Sequence, residues 1–244
     1  LVEQSTPLSP SVSSTISSVT SVKFVDKDLD EADYGGTVTW SVPAEHSQLT
    51  HYVAYLATDD AGAEKSQVVT GEGRPKGANV LSMPAETKRV DTAANPDNTY
   101  SHVTVYTKSS LVEQTTPTSS PPSVSSTISS VTSVKFADKD LDMADYGGTV
   151  TWTAPTEVSQ VTHYVAYLAT DTAGGAKSQV VADAGRPKGT NVLSMPAETS
   201  RVDTTPNPDT TYTHLAVYTK SALVEQNTPL SPSVSSTISS VTSV

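Results

Sequence analysis

Apolar and polar residues alternate with a period of two along several short stretches of this chain, and no useful length keeps the period of a helix. Gly35-Gly36-Thr37-Val38-Thr39-Trp40-Ser41-Val42-Pro43 puts Val38, Trp40 and Val42 on one face. The two glycines open this stretch and Pro43 closes it. Residues 50–57 are apolar on both faces, as a central strand would be. Residues 66–70, 79–83 and 100–107 read as further short strands, and 19–24 precedes them with Val22 and Phe24 on one side. Seven short strands spaced by turn residues over about 100 residues predict an all-β fold, a Greek-key β-sandwich of seven strands.

The pattern then repeats. Ser-Val-Ser-Ser-Thr-Ile-Ser-Ser-Val-Thr-Ser-Val occurs at 11–22, 123–134 and 233–244, and Leu-Val-Glu-Gln starts at Leu1, Leu111 and Leu223. The period is near 111 residues, which predicts a tandem array that continues beyond this chain. Between 11–110 and 123–222 about 22 of 100 positions differ. Trp40 maps to Trp152, Tyr100 to Tyr212 and His51 to His163, while changes such as Glu31/Met143, Glu64/Ala176 and Lys88/Ser200 fall at expected surface sites. The organisation expected is a last strand and linker over 1–10, one sandwich over 11–118, a second over 119–230 led by a Pro/Ser/Thr linker, and the linker and first strand of a following unit over 231–244. Leu-Val-Glu-Gln is read as the last strand of each unit.

Each unit is long enough to bury a core without metal or disulfide. The net charge of −11 disfavours phosphate backbones and anionic lipid surfaces, so nucleic acid is not an expected partner. Cysteine is absent, which excludes a disulfide framework and Cys-ligated zinc. No run of about 18 apolar residues predicts a membrane span.

Trp followed three positions later by Pro (Trp40/Pro43 and Trp152/Pro155), and Met83-Pro84 followed by Tyr100, with Tyr212 its counterpart, resemble the fibronectin type III signature. The resemblance covers each whole unit; an immunoglobulin-like or cadherin-like sandwich is the alternative. The corner from Ala85 to Thr99 is about ten residues longer than that family usually has. The strings Gly-Gly-Thr-Val-Thr-Trp, Thr-His-Tyr-Val-Ala-Tyr-Leu-Ala-Thr-Asp and Val-Tyr-Thr-Lys-Ser are also similar to repeats in very large predicted proteins of dinoflagellate algae. That likeness implies a surface or secreted giant, with no activity attached.

Five features are candidates for function. Asp26, Asp28 and Asp30, repeated as Asp138, Asp140 and Asp142, alternate carboxylates as a calcium site does, but Glu31 and Thr37 stand where a helix–loop–helix calcium loop needs Gly and Glu. A solvated turn is the competing reading. The Pro/Ser/Thr tracts have the composition of O-glycosylated stalks, with Thr6, Ser9, Thr116, Thr118, Ser119, Ser120, Thr228 and Ser231 as candidate acceptors. Val12, Ile16 and Val19 of the repeated string are candidates to dock on a neighbouring unit. The long corner carries Arg89, Asp91, Asn95 and Asp97, and the basic tip 73–77, repeated at 185–189, is a candidate to meet an acidic rim on the next unit. The histidines lie in strands without a Ser-His-Asp or His-Glu-x-x-His arrangement, so no enzyme activity is expected.

The expectation is a structural segment of a long extracellular or cell-surface filament, whose partners are neighbouring units and other copies of the chain. An adhesion or glycan-binding array, gaining avidity from repeated weak sites, is the alternative. Calcium is the one cofactor considered.

Overall fold

The computed structural model describes residues 17–93, 97–120, 129–204 and 209–234. These are all β and turn, without a helix. The first repeat contributes β1 (Thr20–Asp26), β2 (Asp33–Ser41), β3 (Leu49–Ala57), β4 (Ser66–Gln67), β5 (Arg74–Pro75), β6 (Val80–Lys88), β7 (Val90–Asp91), β8 (Asn98–Thr99), β9 (His102–Ser109) and β10 (Thr118–Ser119). The second contributes β11 (Thr132–Asp138), β12 (Asp145–Thr153), β13 (His163–Ala169), β14 (Ser178–Gln179), β15 (Arg186–Pro187), β16 (Val192–Ser200), β17 (Val202–Asp203), β18 (Thr210–Thr211) and β19 (His214–Lys220).

In the first repeat one sheet runs β1-β2-β6 and the other β10-β9-β3-β4, with β5 also on β3. In the second the sheets are β11-β12-β16 and β14-β13-β15, with β19 on β13. All pairings are antiparallel. The two sheets of a repeat share one core. Val22, Tyr34, Val38, Trp40, Leu81 and Met83 from one meet Tyr52, Ala54, Leu56, Val103 and Val105 from the other. The second repeat builds a separate core in the same way, around Tyr146, Trp152, Tyr164 and Leu215. The period-two pattern is what allows this, because alternate residues of a strand reach the same face.

The signature residues lie inside. Trp40, Pro43, Tyr100, Trp152, Pro155 and Tyr212 are all buried. Trp40 packs on Tyr52 at 5.3 Å between ring centroids, and Trp152 on Tyr164 at 5.4 Å. Tyr34 donates its hydroxyl to the Tyr100 carbonyl at 3.0 Å, tying the two sheets together at one end. Val42 differs from expectation: it lies just past the end of β2 and is exposed.

The unit boundary also moves. At 111–114 Leu-Val-Glu-Gln is a turn, bridged to its own unit between Lys108 and Glu113, with the Gln114 N–H donating to the Thr107 carbonyl. The last strand is β10, built from residues of the Pro/Ser/Thr tract: Thr118 pairs with Val105 and Ser119 with Thr104. Ser119 and Ser120 therefore belong to the first unit, and the bridge from Ser233 to His214 extends the second unit beyond 230. Hydroxyl-rich sequence conceals a strand here because its partner, β9, supplies the apolar contacts.

Candidate functional site

The acidic run between β1 and β2 is a ladder of local turns. Asp26 Oδ1 accepts from the backbone N–H groups of Asp28 and Gly35, both at 3.1 Å. Asp28 Oδ1 accepts from the Asp30 N–H at 3.1 Å, and its Oδ2 from the Glu86 N–H at 3.0 Å. The second repeat copies this: Asp138 holds the Asp140 and Gly147 N–H groups, and Asp140 holds those of Asp142 and Glu198. Aspartates two apart do this because each carboxylate reaches the amide two residues on. The ladder brings a third carboxylate alongside. Asp28, Asp30 and Glu86 each place an oxygen within 4.8 Å of the others, as do Asp140, Asp142 and Glu198. Glu86 and Glu198, at φ of 60° and 58°, sit far along the chain from the aspartates, and sequence spacing gave no sign of them.

In the first repeat this cluster is occupied by the second. The Asn227 backbone N–H donates to Asp30 Oδ2 at 2.8 Å and the Thr228 hydroxyl to Asp30 Oδ1 at 3.1 Å. Asn227 Nδ2 donates to Glu86 Oε2 at 2.6 Å. The Ser129 N–H points at the Leu29 carbonyl at 3.5 Å. Leu223 leans on Gly35, where a Cβ would stand 2.8 Å from Leu223 Cδ2 and 2.9 Å from the Ala85 Cα of its own unit, a backbone contact that Gly147 repeats against Ala197.

The two copies of the loop supply a comparison within one molecule. Residues 26–30 and 138–142 have the same sequence, yet Leu29 is 0 % exposed and Leu141 60 %. Asp30 is buried while Asp142 is exposed. The same holds in reverse for the turn: Leu223 is 39 % exposed and Leu111 is 91 % exposed. What differs is the neighbour. Burial pushes the Asp30 carboxyl above its ordinary range, against the pull of the Asn227 N–H, and burial also raises Glu86. In the open copy Glu198 is raised first by the charge of Asp140, whose own carboxyl is lowered by the Glu198 and Asp142 N–H groups.

The turn is held on its own unit by its polar half. Glu113 accepts from Lys65 Nζ at 2.7 Å and from the Tyr55 hydroxyl at 2.9 Å. Lys65 lies 4.3 Å from the Tyr55 ring centroid and 3.9 Å from that of Tyr106. Burial, then Glu113, pushes Tyr55 above the usual tyrosine range. Gln114 accepts from Thr107 at 2.8 Å and donates to Ser18, fastening the start of the unit to its end. Lys177, Tyr167, Tyr218, Glu225, Gln226 and Ser130 repeat the arrangement.

The remaining candidates fall elsewhere. Val12, Ile16, Asn95, Thr6 and Ser9 lie outside the described residues, and Val19 is buried in its own core. Thr116 is exposed; the Thr118 hydroxyl donates to the Val19 carbonyl, Thr228 to Asp30, and Ser119 to the Ser120 carbonyl. Ser120 is buried, and the Ser231 hydroxyl oxygen is sealed from solvent, which removes both from reach of a modifying enzyme. The long corner is a small hairpin of β7 and β8, with Asp91 accepting from the Tyr100 hydroxyl at 3.2 Å and Arg89 reaching the Glu31 carbonyl. Arg74 of the basic tip pairs on β3 beside Tyr52, and the rim of the next unit that it was expected to meet has Leu141 and Asp142 exposed; Asn227 and Thr228 meet the rim of the first unit. Ser101 lies 2.9 Å from His102 Nδ1, but its hydroxyl donates to the Thr58 carbonyl.

No protein-family model matches the chain, and no curated protein matches it significantly.

Proposed function

We propose that the chain is a spacer segment of an extracellular or cell-surface filament, built from fibronectin type III-like Greek-key units stacked in a fixed orientation. The observation that carries this reading is the burial of Leu29 and Asp30 under the second unit, beside the open state of Leu141 and Asp142. A flexible string of beads has no use for a loop shaped to its neighbour. Here the cap is made of polar bonds to carboxylates that a lone unit leaves in water, together with one leucine seated over a glycine. Such nearest-neighbour terms add along an array and set its stiffness. Repetition in this reading supplies length, and the separate cores make each unit a rigid bead.

The test is rotational diffusion of the chain by NMR relaxation. Units joined by this junction tumble as one elongated body, and Leu223→Asp lets them tumble separately. Independent tumbling of the unaltered chain would remove the rigid-spacer reading.

A further inference from the structure

The receiving loop keeps one shape whether or not a unit covers it. Under the second unit, where Asp30 is buried, Asp28 holds the Asp30 N–H at 3.1 Å and the Glu86 N–H at 3.0 Å. In the uncovered copy, where Asp142 is exposed, Asp140 holds the Asp142 and Glu198 N–H groups at 3.0 Å each. Asp26 and Asp138 hold the Gly35 and Gly147 N–H groups at 3.1 Å in both. Contact with a neighbour therefore does not build this arrangement. The arrangement also strains its own unit. Glu86 and Glu198 stand at φ of 60° and 58°, a left-handed backbone that glycine takes freely and a residue with a Cβ resists. The carboxylate of this strained residue is the one that accepts from Asn227 Nδ2 of the second unit at 2.6 Å.

We propose that the loop is pre-organised for its neighbour: Asp28 pins the Glu86 backbone in the left-handed turn, so that the Glu86 and Asp30 side chains stand ready for Asn227 and Thr228 before the units meet. The proposal deepens the spacer reading and rests on it, by naming what holds the junction. Acceptors fixed by the fold need no ordering at docking, and such ordering otherwise weakens association. Backbone strain persists where the surrounding structure holds it, and contact sites are where it collects. The alternating aspartates then divide the work. Asp26 and Asp28 hold backbone, Asp30 meets the neighbour, and Glu86 joins it from across the sheet end.

Amide hydrogen exchange at Asn227, whose N–H is bonded to Asp30, reads how often the junction opens. In the 244-residue chain, Glu86→Ala keeps the strained backbone and removes the carboxylate. Exchange at Asn227 should then speed up about threefold, the factor for one modest hydrogen bond. Glu86→Gln keeps an acceptor oxygen and should leave that exchange close to the unaltered rate. Asp28→Asn offers one acceptor oxygen to two N–H groups, and should speed exchange at Asn227 by releasing Glu86. Glu198→Gly relieves the same strain in the uncovered copy. It should lower the unfolding constant of the second unit in urea about threefold, while Glu86→Gly opens the junction. A glutamate serving only its own unit would not give those opposite signs. Exchange at Asn227 that is unmoved by Glu86→Ala or Asp28→Asn would overturn the proposal. So would exchange as fast in Glu86→Gln as in Glu86→Ala, or a second unit weakened by Glu198→Gly. Any of these results leaves the spacer reading standing while the unaltered chain tumbles as one body; independent tumbling of the unaltered chain removes both.

Discussion

Truncating the same leucine in the two copies of one loop isolates the energy of the junction. Leu29→Ala and Leu141→Ala remove the same atoms from the same local sequence, and the difference between them is the neighbour. Leu141 retains 60 % exposure and Leu29 none. Full burial of a leucine side chain is worth about 1.5–3 kcal/mol, so the share that the second unit covers is worth about 1–2 kcal/mol. Leu29→Ala is therefore expected to destabilise the first unit by about 1–2 kcal/mol more than Leu141→Ala destabilises the second, with a further penalty if the loop cannot close over the gap. Urea titration followed by NMR, with resonances of each unit read separately, measures both changes in one chain type. For a slope of about 1–3 kcal/mol per molar urea, the midpoints differ by about 0.3–2 M. A control variant, Leu223→Asp, takes the neighbour's leucine away, and the excess should shrink in its presence. Equal shifts in the two units, or an excess that survives Leu223→Asp undiminished, would refute the account of why Leu29 is buried.

Three further outcomes follow from the same surfaces. The junction should tighten as pH falls towards ordinary carboxylate values. Asp30 and Glu86 are raised by burial, so their contribution to docking is fully present below their undocked values and is lost as pH rises through the docked ones. Asp28 and Asp33 face the same pocket and reinforce the effect on Glu86, while Lys88 is paired with Asp33 at 2.8 Å; tumbling that loosens on acidification would contradict this. Glu113→Gln should let Tyr55 ionise at lower pH in an ultraviolet titration, because it removes a charge that resists phenolate formation; an unchanged tyrosine titration would place the cause in burial alone. Calcium and chelator should leave the thermal midpoint within about 1 °C, since the inner ladder oxygens already accept backbone N–H groups; a rise of several degrees on adding calcium would make the clusters cation sites.

How far the sequence could be read depended on how local each determinant was. Val38 and Trp40 signalled a strand because their spacing alone puts them on one face, and both prove buried. The separation into units was equally visible, because a period near 111 residues is long enough for each repeat to close its own core, and two cores are found. The strand β10 was not visible: Thr118 and Ser119 have no apolar pattern, and only the partner strand β9 makes them part of a sheet. The acidic ladder was seen but its third member was not. Glu86 reaches it because Asp28 holds the Glu86 N–H across the sheet end, a contact 58 residues apart that no spacing rule predicts. The docking element was sought in Val12, Ile16 and Val19, where apolar residues interrupt a polar string. Val12 and Ile16 lie outside the described residues and Val19 packs in its own core; the described contacts between units come from Leu223, Asn227 and Thr228, with Ser129 of the repeated string beside them.

Leu-Val-Glu-Gln answers to two masters at once. Its Glu and Gln bind the parent unit, while its leucine reaches the one before it. A substitution in such a string is felt on both sides of a boundary, and a compensating change would have to arise in a different copy. The same bind applies to the Asp-Lys-Asp-Leu-Asp run that receives it. Both strings are unaltered between the copies, whereas Glu31 has become Met143 one residue outside. Reciprocal dependence between adjacent copies thus acts as a brake on divergence, and it predicts that drift in this kind of array concentrates wherever a side chain serves only its own bead.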